Sequence, residues 1–179
     1  IDDERARAMK AAGCWVVAFG IESGNQTLLD RMRKNATLDQ AREAVAVCKR
    51  NGLRVHTFFV IGLPWETRET LEDTYRFALE LDPDFFDFNI ATPLPGTELF
   101  EIAKADSLFE DVHSTQRATY ASGALRTYSG LNSEDLGQWR RERLLKMYLR
   151  PRYIMKTLWK AGSPRVAANY LKAARKRFA

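Results

Sequence analysis

Over the first 110 residues the apolar positions alternate between two periods, and the alternation predicts the elements. Trp15–Ile21, Val55–Ile61 and Phe85-Phe-Asp-Phe-Asn-Ile-Ala-Thr92 are short, nearly continuous apolar runs and read as buried strands. Trp15–Ile21 is apolar on both faces, as expected where helices cover both sides of a parallel sheet. Between the runs, apolar residues recur at helical spacing. Residues 2–12 form a helix stopped by Gly13. Ser23 to Gln26 has the spacing of a capping box and starts a short helix carrying Leu28, Leu29 and Met32. Thr37 caps a helix with Leu38, Ala41, Val45 and Cys48 on one stripe, ended by Asn51-Gly52. Thr67 caps another, with Leu71, Tyr75, Ala78 and Leu81, closed by Asp82-Pro83. Glu98–Ala105 is a further helix. One helix followed by strand–helix three times means parallel strands joined by right-handed crossovers.

The pattern changes after residue 110. Asp111 to Gly130 is mixed, with one strand expected around Ala124–Tyr128. Ser133 caps a helix carrying Leu136, Trp139, Arg143, Leu144 and Met147. Pro151 and Pro164 stand at first helical positions, which predicts helices near 151–161 and 164–178. Charge changes at the same place. From Asp111 onward there are 15 Lys+Arg against 4 Asp+Glu, whereas residues 1–110 carry 13 against 19. The division expected is therefore 1–110, an α/β unit, and 111–179, a basic helical extension.

Composition narrows the class only modestly. The chain has 179 residues, 45% hydrophobic and 28% charged, enough for one core or a core with an appendage. No apolar run is long enough to cross a bilayer, and no secretory signal opens the sequence. Cys14 and Cys48 are too far apart for a local metal motif and read as buried, reduced thiols, which points to the cytoplasm. The first residues look like a helix already under way, and the edge at Trp15–Ile21 lacks a neighbour. Both suggest a chain that begins inside a larger protein. An exposed first strand also invites pairing with another chain, so a dimer through it is expected.

Candidate chemistry gathers at the strand ends, where ligands bind in α/β proteins. Glu22 ends the first strand and has two readings: an acid bonding the vicinal hydroxyls of a ribose, or a carboxylate complementing the next helix. Ser23 reads as that helix's cap. In Ile61-Gly-Leu-Pro-Trp-Glu66, Gly62 lets a flat ligand approach the backbone, Ile61 supplies an apolar face and Pro64 fixes the turn. Glu66 alone reads as a helix-dipole partner. Pro93-Leu-Pro-Gly-Thr97 is a rigid loop after the third strand. His56 lies within a strand and reads as packed; His113 carries no signal. The tail interleaves Arg with Trp and Tyr, as nucleic-acid-binding segments do, but solvated helix faces account for it.

Taken in order, Gly20-Ile-Glu-Ser-Gly24, Asn51-Gly-Leu, Phe59-Val-Ile-Gly-Leu-Pro-Trp-Glu-Thr67 and Asn89–Thr97 resemble the radical S-adenosylmethionine (SAM) superfamily, in its Elp3/MiaB/NifB-like branch. The resemblance covers roughly residues 1–105. It implies an α/β fold: the second half, strands four to six, of a partial TIM barrel, followed by an α-helical C-terminal extension. It also implies that Glu22 and Ser23 contact the cofactor ribose, that Ile61, Gly62 and Leu63 lie beside the adenine with Glu66 closing the motif, and that Ala91 and Thr92 lie near the adenine. In that family an iron–sulfur cluster on CxxxCxxC reduces SAM to a 5′-deoxyadenosyl radical. Here CxxxCxxC is missing, as is the strand-two motif that holds methionine. The expectation is a fragment of an Fe–S oxidoreductase-type enzyme acting on a small molecule, inactive alone. Arg143–Leu158 is similar to the C-terminal helices of the cobalamin-binding group, which includes methyltransferases and ring-forming enzymes. A methylthiotransferase fits less well, because the tail does not suggest the small RNA-binding β-barrel of those enzymes. The competing class is a non-catalytic α/β binding module whose basic tail contacts nucleic acid or protein.

Overall fold

The computed structural model describes residues 1–110 and 123–161, together with Ser163, Ala168 and Asn169. The elements run α1 (Asp3–Ala11), β1 (Val16–Glu22), α2 (Gln26–Arg31), α3 (Leu38–Arg50), β2 (Arg54–Ile61), α4 (Arg68–Leu81), β3 (Phe85–Ile90), α5 (Glu98–Ala105), α6 (Ser133–Tyr148) and α7 (Pro151–Ala161). The strands form one parallel sheet in the order β1–β2–β3. Every helix and strand expected before residue 106 is present, with strand ends shifted by a residue or two.

Sequential strand order with right-handed crossovers sends the connecting helices to one side of a sheet. Burial records the consequence. In β2, Val55, Thr57, Phe59 and Ile61 are buried while Arg54, His56, Phe58 and Val60 are half-buried. In β3, Phe86, Phe88 and Ile90 continue the buried side, and the Phe59 and Phe88 rings lie 5.4 Å apart. The expectation of two covered faces fails most clearly in β1. There only Ile21 is buried, and Ala18 and Gly20 are exposed. Among the described residues β1 pairs on one side alone.

The helix starts are built by side chains capping free N–H groups. Thr37 and Gln40 make a reciprocal capping box for α3, and Thr67 and Thr70 make one for α4. For α2 the cap is Asn25, whose Oδ1 accepts from the Leu28 N–H, and not Ser23. The Ser23 hydroxyl is taken up in the packing of α4. Gly24 explains why: a Cβ there would stand 2.6 Å from Asp73 O, Thr74 Cα and Phe77 Cβ. This close approach rotates the buried stripe of α4 onto Leu71, Thr74, Phe77, Ala78 and Leu81, leaving Tyr75 half-buried.

No strand forms around Ala124–Tyr128. One antiparallel bridge joins Phe109 to Leu125, the Arg126 N–H donates to Leu108 O at 2.8 Å, and Leu125 packs with Ala103 and Leu108. Residues 111–122, with His113, and most of the helix expected at 164–178 lie outside the described residues. Two compact units emerge, Ile1–Gln138 and Trp139–Ala179. The compositional break at 110 thus falls inside the first unit. Ala124, Leu125, Leu131 and Leu136 are buried in it, and apolar burial sets the limits of a compact unit whereas surface charge does not. In the second unit, Tyr148 at the end of α6 and Tyr153 of α7 meet edge-on at 5.3 Å.

Candidate functional site

At the end of β1 the ladder slips: Gly20 pairs with Phe58 but Glu22 with Phe59, so Ile21 is the extra residue of a bulge. Bulges re-aim side chains near functional sites. Glu22 completes the turn at φ 70°, a left-handed conformation costly for a residue with a side chain. Its carboxylate lies back across Gly20, where any Cβ would collide with Oε1. Lys34 Nζ holds the same oxygen at 2.8 Å. Lys34 comes from the loop after α2, in which Arg33 and Asn35 also have positive φ, 53° and 52°. Arg33 grips Glu98 at the start of α5 through two bonds of 3.0 and 2.9 Å. A carboxylate at a strand's end is thereby fixed by a cation and left partly open to solvent.

Ser23 faces the other way. It is fully buried, its Oγ lies 3.3 Å from Thr74 Oγ1, and it accepts from the Asn25 N–H at 3.1 Å. This hydroxyl ties the β1–α2 turn to α4.

The β2 end is built around Glu66. Gly62 sits at φ 80° and its N–H donates to Glu66 Oε2 at 3.3 Å, while the Thr70 hydroxyl donates to Oε1 at 2.5 Å. The Glu66 N–H donates to Leu63 O at 2.9 Å, closing the turn. Glu66 is buried, and burial pushes its carboxyl up to about 7, against the two hydrogen bonds that favour ionisation. On the side where a Cβ would stand, Gly62 is closed off by neighbouring side chains. A Cβ there would stand 2.7 Å from Leu136 Cδ1 and 3.3 Å from Ile90 Cγ2. Ile61 is likewise on the buried, helix-covered side of β2 and supplies no exposed apolar face; Leu63 is buried as well.

At the β3 end Ala91 is buried and donates its N–H to Ile61 O at 2.8 Å, so the β2 and β3 ends are stapled together. Thr92 follows, half-buried. The segment 123–136 crosses these ends: the Tyr128 N–H donates to Pro64 O and the Ser129 hydroxyl to Glu66 O, both at 2.8 Å. The structure therefore brings Glu22, Gly62, Leu63, Ala91 and Thr92 to one end of the sheet. Lys34, Thr70 and Ser129 join them unannounced by the sequence, and so does Leu136, expected only as an apolar position of the helix that starts at Ser133. Of the first three, Thr70 alone left a signal, as partner in the Thr67 capping box.

His56 is packed, as expected: Nε2 lies 2.9 Å from Asp87 Oδ2, with the Phe58 ring at 4.1 Å. Among the described residues no three His, Cys, Asp or Glu side chains could share a metal. Cys14 donates to Val16 O at 3.3 Å and Cys48 is buried, its thiol pushed up by burial. An iron–sulfur cluster needs several thiolates on one site, and the two cysteines of this sequence, placed so, do not fit one.

Residues 1–78 match the model of the radical SAM superfamily. A methyltransferase of Pyrococcus horikoshii, described as uncharacterized, is 37% identical over 158 residues, which span 88% of this chain and 34% of that protein. The anaerobic magnesium-protoporphyrin IX monomethyl ester cyclase of Rubrivivax gelatinosus is 35% identical over 100 residues, 56% of this chain and 18% of the cyclase. Among solved structures, the cobalamin- and [4Fe–4S]-bound radical SAM methyltransferase TsrM of Kitasatospora setae superposes with a TM-score of 0.54 at 20% identity, over 78% of this chain and 28% of that one. That last likeness is one of fold. Over residues 1–78 the chain is thus similar to the radical SAM superfamily. It spans about a third or less of these relatives' length.

Proposed function

We propose that this chain is part of a radical SAM enzyme of the methyltransferase or cyclase kind, acting on a small molecule, and that it supplies the ribose and adenine side of the SAM pocket. The observation that carries the reading is the Glu22–Lys34 pair on the β1 bulge, at the end of the sheet where the β2 and β3 ends are stapled together. Glu22 accepts hydrogen bonds from the ribose hydroxyls, and Lys34 fixes the carboxylate in place. Ser23 acts behind it, anchoring the turn on α4. Gly62, Leu63, Ala91 and Thr92 line the adenine side with main chain, and the Glu66 carboxylate keeps the Gly62 N–H in register. Ile61 contributes its carbonyl to that register.

The strands are proposed as the second half of a partial barrel, in keeping with the half-covered sheet and the open β1 edge. In an enzyme of this family, SAM and a [4Fe–4S] cluster supply a 5′-deoxyadenosyl radical. The cluster's thiolates are proposed to lie outside this sequence, so the chain alone is inactive. Cobalamin is proposed as a further cofactor of the whole protein, from the fold likeness and the C-terminal helices. The two free cysteines suit a cytoplasmic protein. The open β1 edge offers a second copy a pairing site.

Extending the reading frame upstream of Ile1 tests this directly. A CxxxCxxC within roughly a domain's length supports the enzyme, and its absence returns the chain to the binding-module reading. For the 179 residues alone, anaerobic iron–sulfide reconstitution is expected to leave no [4Fe–4S] spectrum. Calorimetry is expected to find weak SAM binding at most; micromolar affinity would contradict a half-site.

A further inference from the structure

Helix α7 carries its apolar stripe on the outside. Positions i, i+1, i+4 and i+5 of a helix share one side, and in a folded protein that side ordinarily meets the core. In α7 these are Ile154, Met155, Leu158 and Trp159, and they are 41, 69, 50 and 85% exposed. Leu149, in the turn before α7, is 66% exposed. Among the described side chains of α7 the buried one, Tyr153, lies off this stripe, against Tyr148. Exposed apolar groups of this size gathered on one element mark an interaction surface.

Charge identifies the occupant. The unit Trp139–Ala179 holds 13 Lys+Arg against a single acid, Glu142. On the helical wheel Arg152 and Lys156 lie together along one edge of the apolar stripe, next to Trp159. A nucleic acid would accept the cations, but its phosphate surface offers nothing to Ile154, Met155 and Leu158. The apolar groove of another protein would accept the stripe but gives no reason for so one-sided a charge. The surface of an anionic membrane accepts both: headgroups meet the cations, and the boundary of the acyl region meets the stripe. Trp159, the most exposed of the four, is the side chain that settles best at headgroup level. At 11 residues α7 is too short to cross.

We propose that α7 is a membrane-surface helix, lying in the headgroup layer of an anionic bilayer with Ile154, Met155, Leu158 and Trp159 inserted. This is separate from the SAM half-site and stands or falls without it.

The probe is the 179-residue chain with two sets of vesicles, phosphatidylcholine alone and phosphatidylcholine with phosphatidylglycerol, read by co-sedimentation. Binding about tenfold tighter to the anionic vesicles is expected, weakening as salt rises. Leu158→Glu should abolish it, with an unchanged circular dichroism spectrum because the site is exposed. Trp159→Phe, which keeps the apolar face, should still bind but lose most of the blue shift in tryptophan emission. A chain that stays in the supernatant overturns the proposal. So does a Leu158→Glu chain that binds as well as the parent, since charge alone would then be acting. Tight binding to poly(U) without binding to either vesicle would assign the surface to nucleic acid instead.

Discussion

The two compact units use apolar residues in opposite ways. Ile1–Gln138 sinks Phe59, Ile61, Leu71, Phe86 and Phe88 completely and carries 15 Lys+Arg against 22 Asp+Glu. Trp139–Ala179 leaves Leu145, Leu149, Ile154, Met155, Leu158 and Trp159 exposed and is almost devoid of acids. Both contain helices with a well-formed apolar stripe. In α4 the stripe lies against the sheet and the β1–α2 turn; in α7 it faces outward. An apolar stripe therefore says that a helix has something to bury, and only its surroundings say whether the burial is internal.

The largest test of that contrast is truncation of one aromatic residue in each unit. Phe59→Ala should cost about 3–5 kcal/mol, the loss expected for a fully buried aromatic. Trp159→Ala should stay within about 0.5 kcal/mol, as surface changes do. Urea denaturation monitored by circular dichroism measures both, and a comparable loss from Trp159→Ala would show that α7 is held to a core after all.

Glu66 gives the next effect, and it belongs to the first unit alone. Its carboxyl is raised from 4.5 to about 7 in the folded state. Above pH 7 the folded protein must bury a charge that the unfolded chain carries freely. Its contribution is therefore neutral below about pH 4.5 and becomes a penalty as pH rises through 7, reaching on the order of 3 kcal/mol. Glu66→Gln cannot ionise. The variant should gain stability relative to the parent between pH 5 and pH 8, by denaturant midpoints at each pH. A parent and variant with parallel pH profiles would show that Glu66 does not titrate in this range.

Lys34→Ala is the smallest. The pair with Glu22 is partly solvated, so its loss should cost under about 1 kcal/mol of stability. If Lys34 serves to orient Glu22 rather than to stabilise the fold, the same substitution in a longer, cluster-bearing protein should weaken SAM binding while leaving the melting curve nearly unchanged. A large stability loss would make it a structural ion pair instead.

Much of the first unit was legible from local pattern. Strand–helix alternation, the caps Thr37 and Thr67, and the residues Glu22 and Gly62 at strand ends all follow from periodicity and turn chemistry. The cap of α2 was misplaced by two residues because Ser and Asn cap equally well, and only the docking of Ser23 on Thr74 separates them. The strand expected near Ala124 failed for a related reason. Leu125 is buried with Ala103 and Leu108 and pairs at a single bridge rather than along a ladder.

What the amino-acid sequence determined by itself was the identity and order of the elements, the family motifs and the split in charge, since each depends on residues close together in the chain. The tertiary structure decided everything that depends on residues far apart. Packing buried one face of β2 and left β1 half covered. Leu136, 74 residues downstream, fills the space that Gly62 opens. Lys34 meets Glu22 because a bulge and a left-handed loop turn toward one another. Orientation decided the rest, because the same helical spacing that buries Leu71 on α4 leaves Leu158 on α7 in water.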